Sequence, residues 1–306
     1  MKRNQRPGPG PERAGEDTVV AGWQPRSLLC PAKINLTMEI LGRYPSNYHR
    51  IASVMQTISL CDTLSISPAQ DITFECDKPS LAGPDNLVMR AANLMKETAA
   101  YAAGAHLRLE KRIPEAAGLG GGSSDAAAAL VGLNDAWDLG LPPAKLVEMA
   151  SSLGSDVPFF IVGGAAVAEG RGEQVTPLPA LGQLWLVLVH PPISLKEKTR
   201  TLYGALRPVD YTSGERTVSV ADALRAGRQL SDEMLFNVFE RVAESVFPDL
   251  WDYQSRLLAA GARATHLAGS GPTIYAIFRD QQDAERVWRG LSDLDAHLAS
   301  ATNRST

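Results

Sequence analysis

The sequence predicts an α+β fold in two domains, on three observations. Apolar residues alternate with period two over residues 33–41; apolar stripes recur with helical period near residues 86–103 and 124–137; and strand-like and helix-like segments follow one another without a regular βαβ repeat. At 306 residues the chain suffices for one large domain or two modest ones.

Taken in order, residues 1–26 are rich in Pro, Gly and charge and are expected to form a disordered extension. Residues 27–178 are assigned to an N-terminal domain and 179–300 to a C-terminal one, with the junction in the Pro- and Gly-containing stretch 178–182. In the strand over 33–41, Ile34, Leu36, Met38 and Ile40 share one face, and Lys33, Asn35, Thr37 and Glu39 the other. A turn-rich stretch, 42–47, leads to a further strand over 51–66. Residues 86–103 read as a helix with Leu87, Ala91, Leu94 and Met95 on one side and Asp85 placed to cap it. A short strand over 106–111 precedes a glycine loop and a helix from Ser124 to Trp137. The helix over 146–153 is expected to stop at Gly154, and 165–169 with 174–178 to form a hairpin around Gly170 and Gly172. Beyond the junction come a strand over 184–189, helices over 235–247 and 250–260, strands over 264–267 and 274–278, and a helix over 283–291.

Composition narrows the function. The net charge of −4 argues against a nucleic-acid partner, which usually needs a basic face. No apolar run has the length of a membrane span, and the N-terminus lacks the apolar core of a signal peptide. The cysteines, Cys30, Cys61 and Cys76, form no CxxC pair, so free thiols in a cytoplasmic protein without a structural zinc are expected. His106, His190, His266 and His297 stand singly and read as packing residues.

Four segments carry chemistry. The first runs from Pro114 through Gly118, Leu119, Gly120, Gly121, Gly122, Ser123 and Ser124, between a strand and an alanine-rich helix. Glycines let the backbone approach a ligand, and a helix N-terminus offers unpaired N–H groups, so the loop suits phosphates. Ser123 and Ser124 could cap the helix, donate to phosphate or ligate Mg²⁺. The loop lacks the Gly-Lys-Ser/Thr of a Walker A motif and the spacing of a dinucleotide fingerprint. The second is Lys33 near the start of its strand, either a stabiliser of phosphoryl charge or an edge-strand solubility device. The third is Asp156 in Gly154-Ser155-Asp156-Val157-Pro158, where a general base and a turn-capping carboxylate are equally open readings. The fourth is 268–273, containing Gly269, Ser270, Gly271 and Thr273, either a cleft wall or a tight strand connection.

Together these segments resemble the GHMP kinase superfamily, which includes galactokinase, homoserine kinase and mevalonate kinase. The resemblance runs from about residue 28 to 277, and GLGGGSSDAA and GSDVPFF are its most specific stretches. It implies a ribosomal-S5-like N-terminal domain carrying ATP and catalysis, and a ferredoxin-like C-terminal domain. It also implies phosphoryl transfer from ATP with Mg²⁺ to a small-molecule hydroxyl, by a monomer or homodimer. Within the superfamily the chain is similar to members of non-mevalonate isoprenoid synthesis whose acceptor carries a cytidine. By position, Lys33 and Asp156 would then be the catalytic pair, residues 118–124 would wrap the ATP phosphates, and Asn86 and Lys111 would lie near the nucleotide. Asn35 would contact the acceptor, Tyr48 and His49 its cytosine, and 269–273 would supply the C-terminal glycine motif. Three positions depart from the pattern: Ser46-Asn47 for Asp-Gly before Tyr48, Ser155 for Ala, and Val238 for Asp. The competing readings are a homoserine- or mevalonate-type kinase, a nucleotide-binding regulator without activity, and a dinucleotide oxidoreductase.

Overall fold

A computed structural model describes residues 22–193 and 195–303. The expected extension therefore lies outside the described residues up to position 21. From there Trp23 packs against a helical core, and the first strand opens at Arg26.

The strands are β1 (Arg26–Asn35), β2 (Thr37–Arg43), β3 (His49–Ala69), β4 (Thr73–Cys76), β5 (Gly104–Glu110), β6 (Ala165–Gly170), β7 (Gln174–Pro177), β8 (Trp185–Val189), β9 (Phe236–Asn237), β10 (His266–Leu267), β11 (Ile274–Phe278) and β12 (Ala296–Ser300). The helices are α1 (Leu87–Ala99), α2 (Gly121–Ala136), α3 (Pro143–Leu153), α4 (Val157–Val162), α5 (Lys198–Ala205), α6 (Glu215–Arg225), α7 (Glu240–Val246), α8 (Leu250–Ala259) and α9 (Gln281–Arg289).

Two sheets organise them. An eight-stranded sheet is built on the 21-residue β3, which pairs antiparallel with β1, β2, β5 and β6. The second sheet is antiparallel, ordered β10-β11-β8-β12. Between the sheets lies a core in which Ile34, Leu36, Val54 and Ile58 meet Leu186, Leu188 and Tyr275. Burial of each such large side chain contributes about 1.5–3 kcal/mol. The α1–α3 layer packs on the first sheet through Ala126, Ala129, Leu130 and Leu133 against Leu64, Ile66, Leu107 and Leu109. The small residues of α2 permit a close approach: a Cβ on Gly132 would lie 2.6 Å from Ile66 Cδ1. The mixed helices and strands, without a regular βαβ repeat, are those of the expected α+β class.

Several expectations shift. The alternating run over 33–41 is two strands, broken at Leu36, whose N–H donates to Val54 O at 2.8 Å. Its second face is as buried as its first, because Lys33, Asn35, Thr37 and Glu39 are all enclosed. Asn86, not Asp85, caps α1, accepting from Val88 N at 2.8 Å. α2 begins at Gly121, so Ser123 and Ser124 lie inside its first turn rather than capping it. Gly154 ends α3 with extended backbone, φ 176°, instead of a left-handed cap. The helix expected over 235–247 is divided: Phe236–Asn237 pairs parallel with β2 and only then does α7 begin. A segment distant in sequence thus returns to the first sheet, which local periodicity does not encode. The hairpin of β6 and β7 forms as expected.

Candidate active site

The glycine loop leaves β5, passes Pro114 and enters α2. Lys33 N–H donates to Leu119 O at 2.9 Å, which ties β1 to the loop. Gly118 has φ 83°, and a Cβ there would stand 2.1 Å from Ala268 O and 2.8 Å from Gly271 N. The two glycine loops therefore touch backbone to backbone, and only glycine fits at that contact. Gly120 occupies the N-cap position of α2 at φ 73°, and no side chain caps the helix. The opening N–H groups of α2 and the positive end of its dipole are left without a side-chain acceptor, an arrangement suited to phosphate. Inside the first turn the Ser124 hydroxyl is buried with no hydrogen-bond partner.

Beside the loop stand Lys33 and Asp156. Asp156 precedes α4 in the N-cap position, yet its side chain makes no capping bond. Its carboxylate lies instead 3.8 Å from Lys33 Nζ, with the lysine side chain 5% exposed and the aspartate 34%. Lys33 Nζ donates to Asn35 Oδ1 at 2.6 Å, and Asn35 Nδ2 donates to Ser53 Oγ at 2.8 Å. Burial lowers the pKa of Lys33, while the neighbouring Asp156 carboxylate opposes that shift. The result is a rigid ammonium facing a carboxylate that solvent and ligands can reach.

Both residues line a cleft of about 1030 Å³ that also reaches Gly118, Gly120, Gly269 and Ser270. At its far end His49 stacks on Tyr203, ring centres 4.6 Å apart and 27° between planes. Tyr48 is 58% exposed, with the Arg171 guanidinium 5.3 Å from its ring centre. Arg43 Nε donates to His49 Nε2 at 2.9 Å, which leaves the ring proton on Nδ1. Burial, and then Arg43, lower the pKa of His49 and favour the neutral ring. The Ser46-Asn47 departure is accommodated by Asn47 at φ 67°. Tyr44 N–H to Tyr48 O (2.8 Å) and Asn47 N–H to Tyr44 O (2.9 Å) close the turn that presents Tyr48 and His49.

Other residues singled out in the sequence lie behind the cleft. Lys111 is buried and ion-paired to Asp62 Oδ2 at 2.5 Å and Asp125 Oδ2 at 2.7 Å. Asp62 Oδ1 also accepts from the backbone of Arg112 (2.6 Å) and Ile113 (2.8 Å), whereas Asp125 Oδ1 has no partner. Burial beside a second carboxylate, only partly offset by Lys111, raises the Asp125 pKa to about 7. Asn86 uses both ends of its side chain locally, capping α1 and donating to Leu81 O at 2.9 Å. Thr273 is fully buried, its hydroxyl 2.9 Å from His190 Nδ1. The second glycine loop is pinned by Asn237 Nδ2, which donates to Leu267 O and Gly269 O, both at 2.8 Å.

Sequence reasoning missed Tyr203, Arg43, Arg171 and Lys198, all of which line the cleft. Tyr203 and Lys198 belong to α5, a short helix in a polar segment without an apolar stripe long enough to read. The spacing of Thr199 and Tyr203, one helical turn apart, is the signal that could have placed both on one face.

The model for the GHMP kinases N terminal domain matches residues 86–164, and that for the GHMP kinases C terminal matches residues 220–296. A 4-diphosphocytidyl-2-C-methyl-D-erythritol kinase of Dehalococcoides mccartyi is 44% identical over 266 residues, 87% of this chain and 93% of that protein. One of the same name from Pelotomaculum thermopropionicum is 42% identical over 268 residues, 85% of this chain and 91% of its own length. A crystal structure of 4-(cytidine 5'-diphospho)-2C-methyl-D-erythritol kinase superposes with TM-score 0.79 at 32% identity, covering 91% of this chain and 100% of that one. A homoserine kinase structure from Cytophaga hutchinsonii, TM-score 0.70 at 16% identity over 91% of this chain and 95% of that one, shares the fold. With both family segments matched and relatives 42–44% identical over most of its length, the chain belongs to the GHMP kinases and, within them, to the family of the 4-diphosphocytidyl-2-C-methyl-D-erythritol kinases.

Proposed function

We propose that this chain transfers the γ-phosphoryl group of ATP to the 2-hydroxyl of 4-diphosphocytidyl-2-C-methyl-D-erythritol, the compound that names its relatives. The observation that carries the roles is Asp156, a carboxylate in a capping position that caps nothing and faces Lys33 inside the cleft. Asp156 accepts the proton of the acceptor hydroxyl. That oxygen bonds to the γ-phosphorus as the bridging oxygen–phosphorus bond breaks, and ADP leaves. Lys33, held by Asn35, neutralises charge on the transferring group. Asn35 orients the acceptor end.

Residues 118–124 hold the ATP phosphates through backbone N–H groups and the uncapped start of α2. The buried, partnerless Ser124 hydroxyl fits a Mg²⁺ ion carried on those phosphates, where the ion would supply charge neutralisation. Lys111 and Asn86 act one layer behind the nucleotide, anchoring α2 and α1. The second glycine loop, Gly269 to Thr273, closes the opposite wall. His49, with Tyr48 and Tyr203, receives the cytosine. The donor and acceptor are small molecules, and nucleic acid and membrane have no part in the reaction. Cys30, Cys61 and Cys76 are unpaired, in keeping with a cytoplasmic enzyme.

A coupled ADP-release assay with the cytidylyl polyol, homoserine and mevalonate tests the reading. Turnover of the first alone is expected. Equal or better kcat/KM for either small acceptor would overturn the assignment of the acceptor.

A further inference from the structure

One cation in the cleft has no assigned task. Lys198, the first residue of α5, is buried, and its side chain reaches across to the two glycine loops. Its ammonium donates to Ala116 O at 2.5 Å and to Gly271 O. Those carbonyls flank the point where Gly118 meets the second loop. Both acceptors are neutral. An ammonium has three N–H donors, and two are taken. Among the described residues, no carboxylate lies within ion-pair distance of it. The charged and titratable groups around it are Lys33 from β1, Asp156 before α4, His190 after β8, and Glu197 and Arg200 on its own segment. Asp156 serves Lys33, and Glu197 lies 3.3 Å from Arg200. A buried cation without a counter-charge is costly unless a ligand supplies one.

We propose that Lys198 is a phosphate-binding residue of this kinase, its ammonium meeting phosphoanhydride oxygens bound in the cleft between the two glycine loops. The proposal rests on the kinase reading above and adds a residue to it. The anion is either the triphosphate of ATP or the diphosphate of the acceptor. These share one chemistry, and both enter the same cleft.

Burial, and then the Lys33 charge, lower the Lys198 pKa to about 7, so proton uptake on phosphate binding is expected near pH 8. A phosphate beside it restores the ammonium and draws a proton from solvent. At lower pH the amine is already charged and the uptake disappears.

The test is calorimetry at pH 8 in buffers of different ionisation enthalpy, with a non-hydrolysable ATP analogue and with CDP as probes. One probe should bind wild type with proton uptake. Lys198→Met should weaken that probe roughly 10- to 100-fold, the usual worth of a hydrogen bond to a charged group, and abolish the uptake. Lys198→Arg, permanently charged, should recover part of the affinity without uptake. The weakened probe names the source: the analogue for ATP, CDP for the acceptor. Equal binding of both probes to wild type and Lys198→Met overturns the proposal. Should Lys198→Met fail to fold, Lys198→Gln takes its place, and equal binding of both probes to it and to wild type overturns the proposal. Wild-type turnover of the cytidylyl acceptor is measured in parallel. If that turnover is absent the kinase reading fails, whereas an active wild type with an indifferent Lys198→Met sinks only this proposal.

Discussion

The Asp156 carboxylate stands 3.8 Å from the Lys33 ammonium and makes no bond to the helix it precedes. The pair is therefore maintained for something other than capping. Burial destabilises the Lys33 charge, and Asp156 opposes that shift. Removing the carboxylate should cost the proton acceptor and leave an uncompensated cation. We expect Asp156→Asn to lower kcat by about 10²–10⁴, the usual contribution of a general base, with ATP affinity changed little. Single-turnover kinetics beside nucleotide titration checks this. A variant with near-normal kcat would remove Asp156 from the mechanism.

The contact between the glycine loops gives a second expectation. At Gly118 a Cβ would overlap Ala268 O at 2.1 Å, and the residue is in the left-handed region. Gly118→Ala should force the loops apart, lower the melting temperature and reduce kcat/KM for both substrates. At Gly122 the nearest atom to a new Cβ is 3.9 Å away, within a helix. Gly122→Ala should match or exceed wild type in thermal stability, by up to about 1 kcal/mol. Melting of Gly118→Ala at the wild-type temperature would contradict the loop geometry.

Much of this site is legible in the sequence because it depends on local rules. The alternation that sets Lys33 and Asn35 opposite Ile34 is a strand property, and both residues enter the cleft. The glycine run before an alanine-rich segment reads as a loop entering a helix, although its start is misplaced. Glycine has low helix propensity, yet Gly121 and Gly122 are helical and form the first turn. Asp156 is undecidable locally, since a capping carboxylate and a base look alike until Lys33 is placed beside it. Phe236–Asn237 reads as helix because its pairing partner is nearly 200 residues away. Tyr203 and Lys198 gain their positions only when α5 is laid along the cleft.

The Lys111 triad yields a pH dependence. Asp62 and Asp125 share one ammonium, but Asp62 has two further backbone donors and Asp125 none. The Asp125 pKa is raised from 3.8 to about 7, so between those values the folded protein holds a proton that the unfolded chain has released. Its contribution to stability is fully present below pH 3.8 and is lost as pH rises through about 7. Asp125→Asn cannot lose that proton. Relative to wild type it should gain stability from pH 5 to pH 8, on the order of 1–3 kcal/mol. Urea midpoints for both proteins at the two pH values measure the difference. A wild-type-to-variant gap that does not change with pH would show that Asp125 is ionised in both states.

On the proposed reading, recognition of the acceptor places binding energy far from the reacting hydroxyl. His49 is fixed on two sides: its ring stacks on Tyr203, and its Nε2 is held by Arg43 Nε at 2.9 Å. The free Nδ1–H can donate to a cytosine acceptor atom, and the lowered pKa keeps the ring neutral, so the tautomer does not change near neutral pH. Tyr48, exposed at the rim, offers a face on which a base can stack, worth roughly 1–3 kcal/mol for an aromatic–base contact. Energy gained at the base offsets the entropic cost of aligning the hydroxyl with the γ-phosphate. His49→Ala should therefore lower kcat/KM for the cytidylyl substrate while ATP affinity is retained. Arg43→Ala should give a smaller loss, because it frees the His49 tautomer without removing the ring. The rank order is the sensitive part. A larger effect from Arg43→Ala than from His49→Ala would mean that the guanidinium, not the imidazole, makes the contact to the acceptor. Steady-state kinetics on both variants, with nucleotide binding measured separately, decides between them.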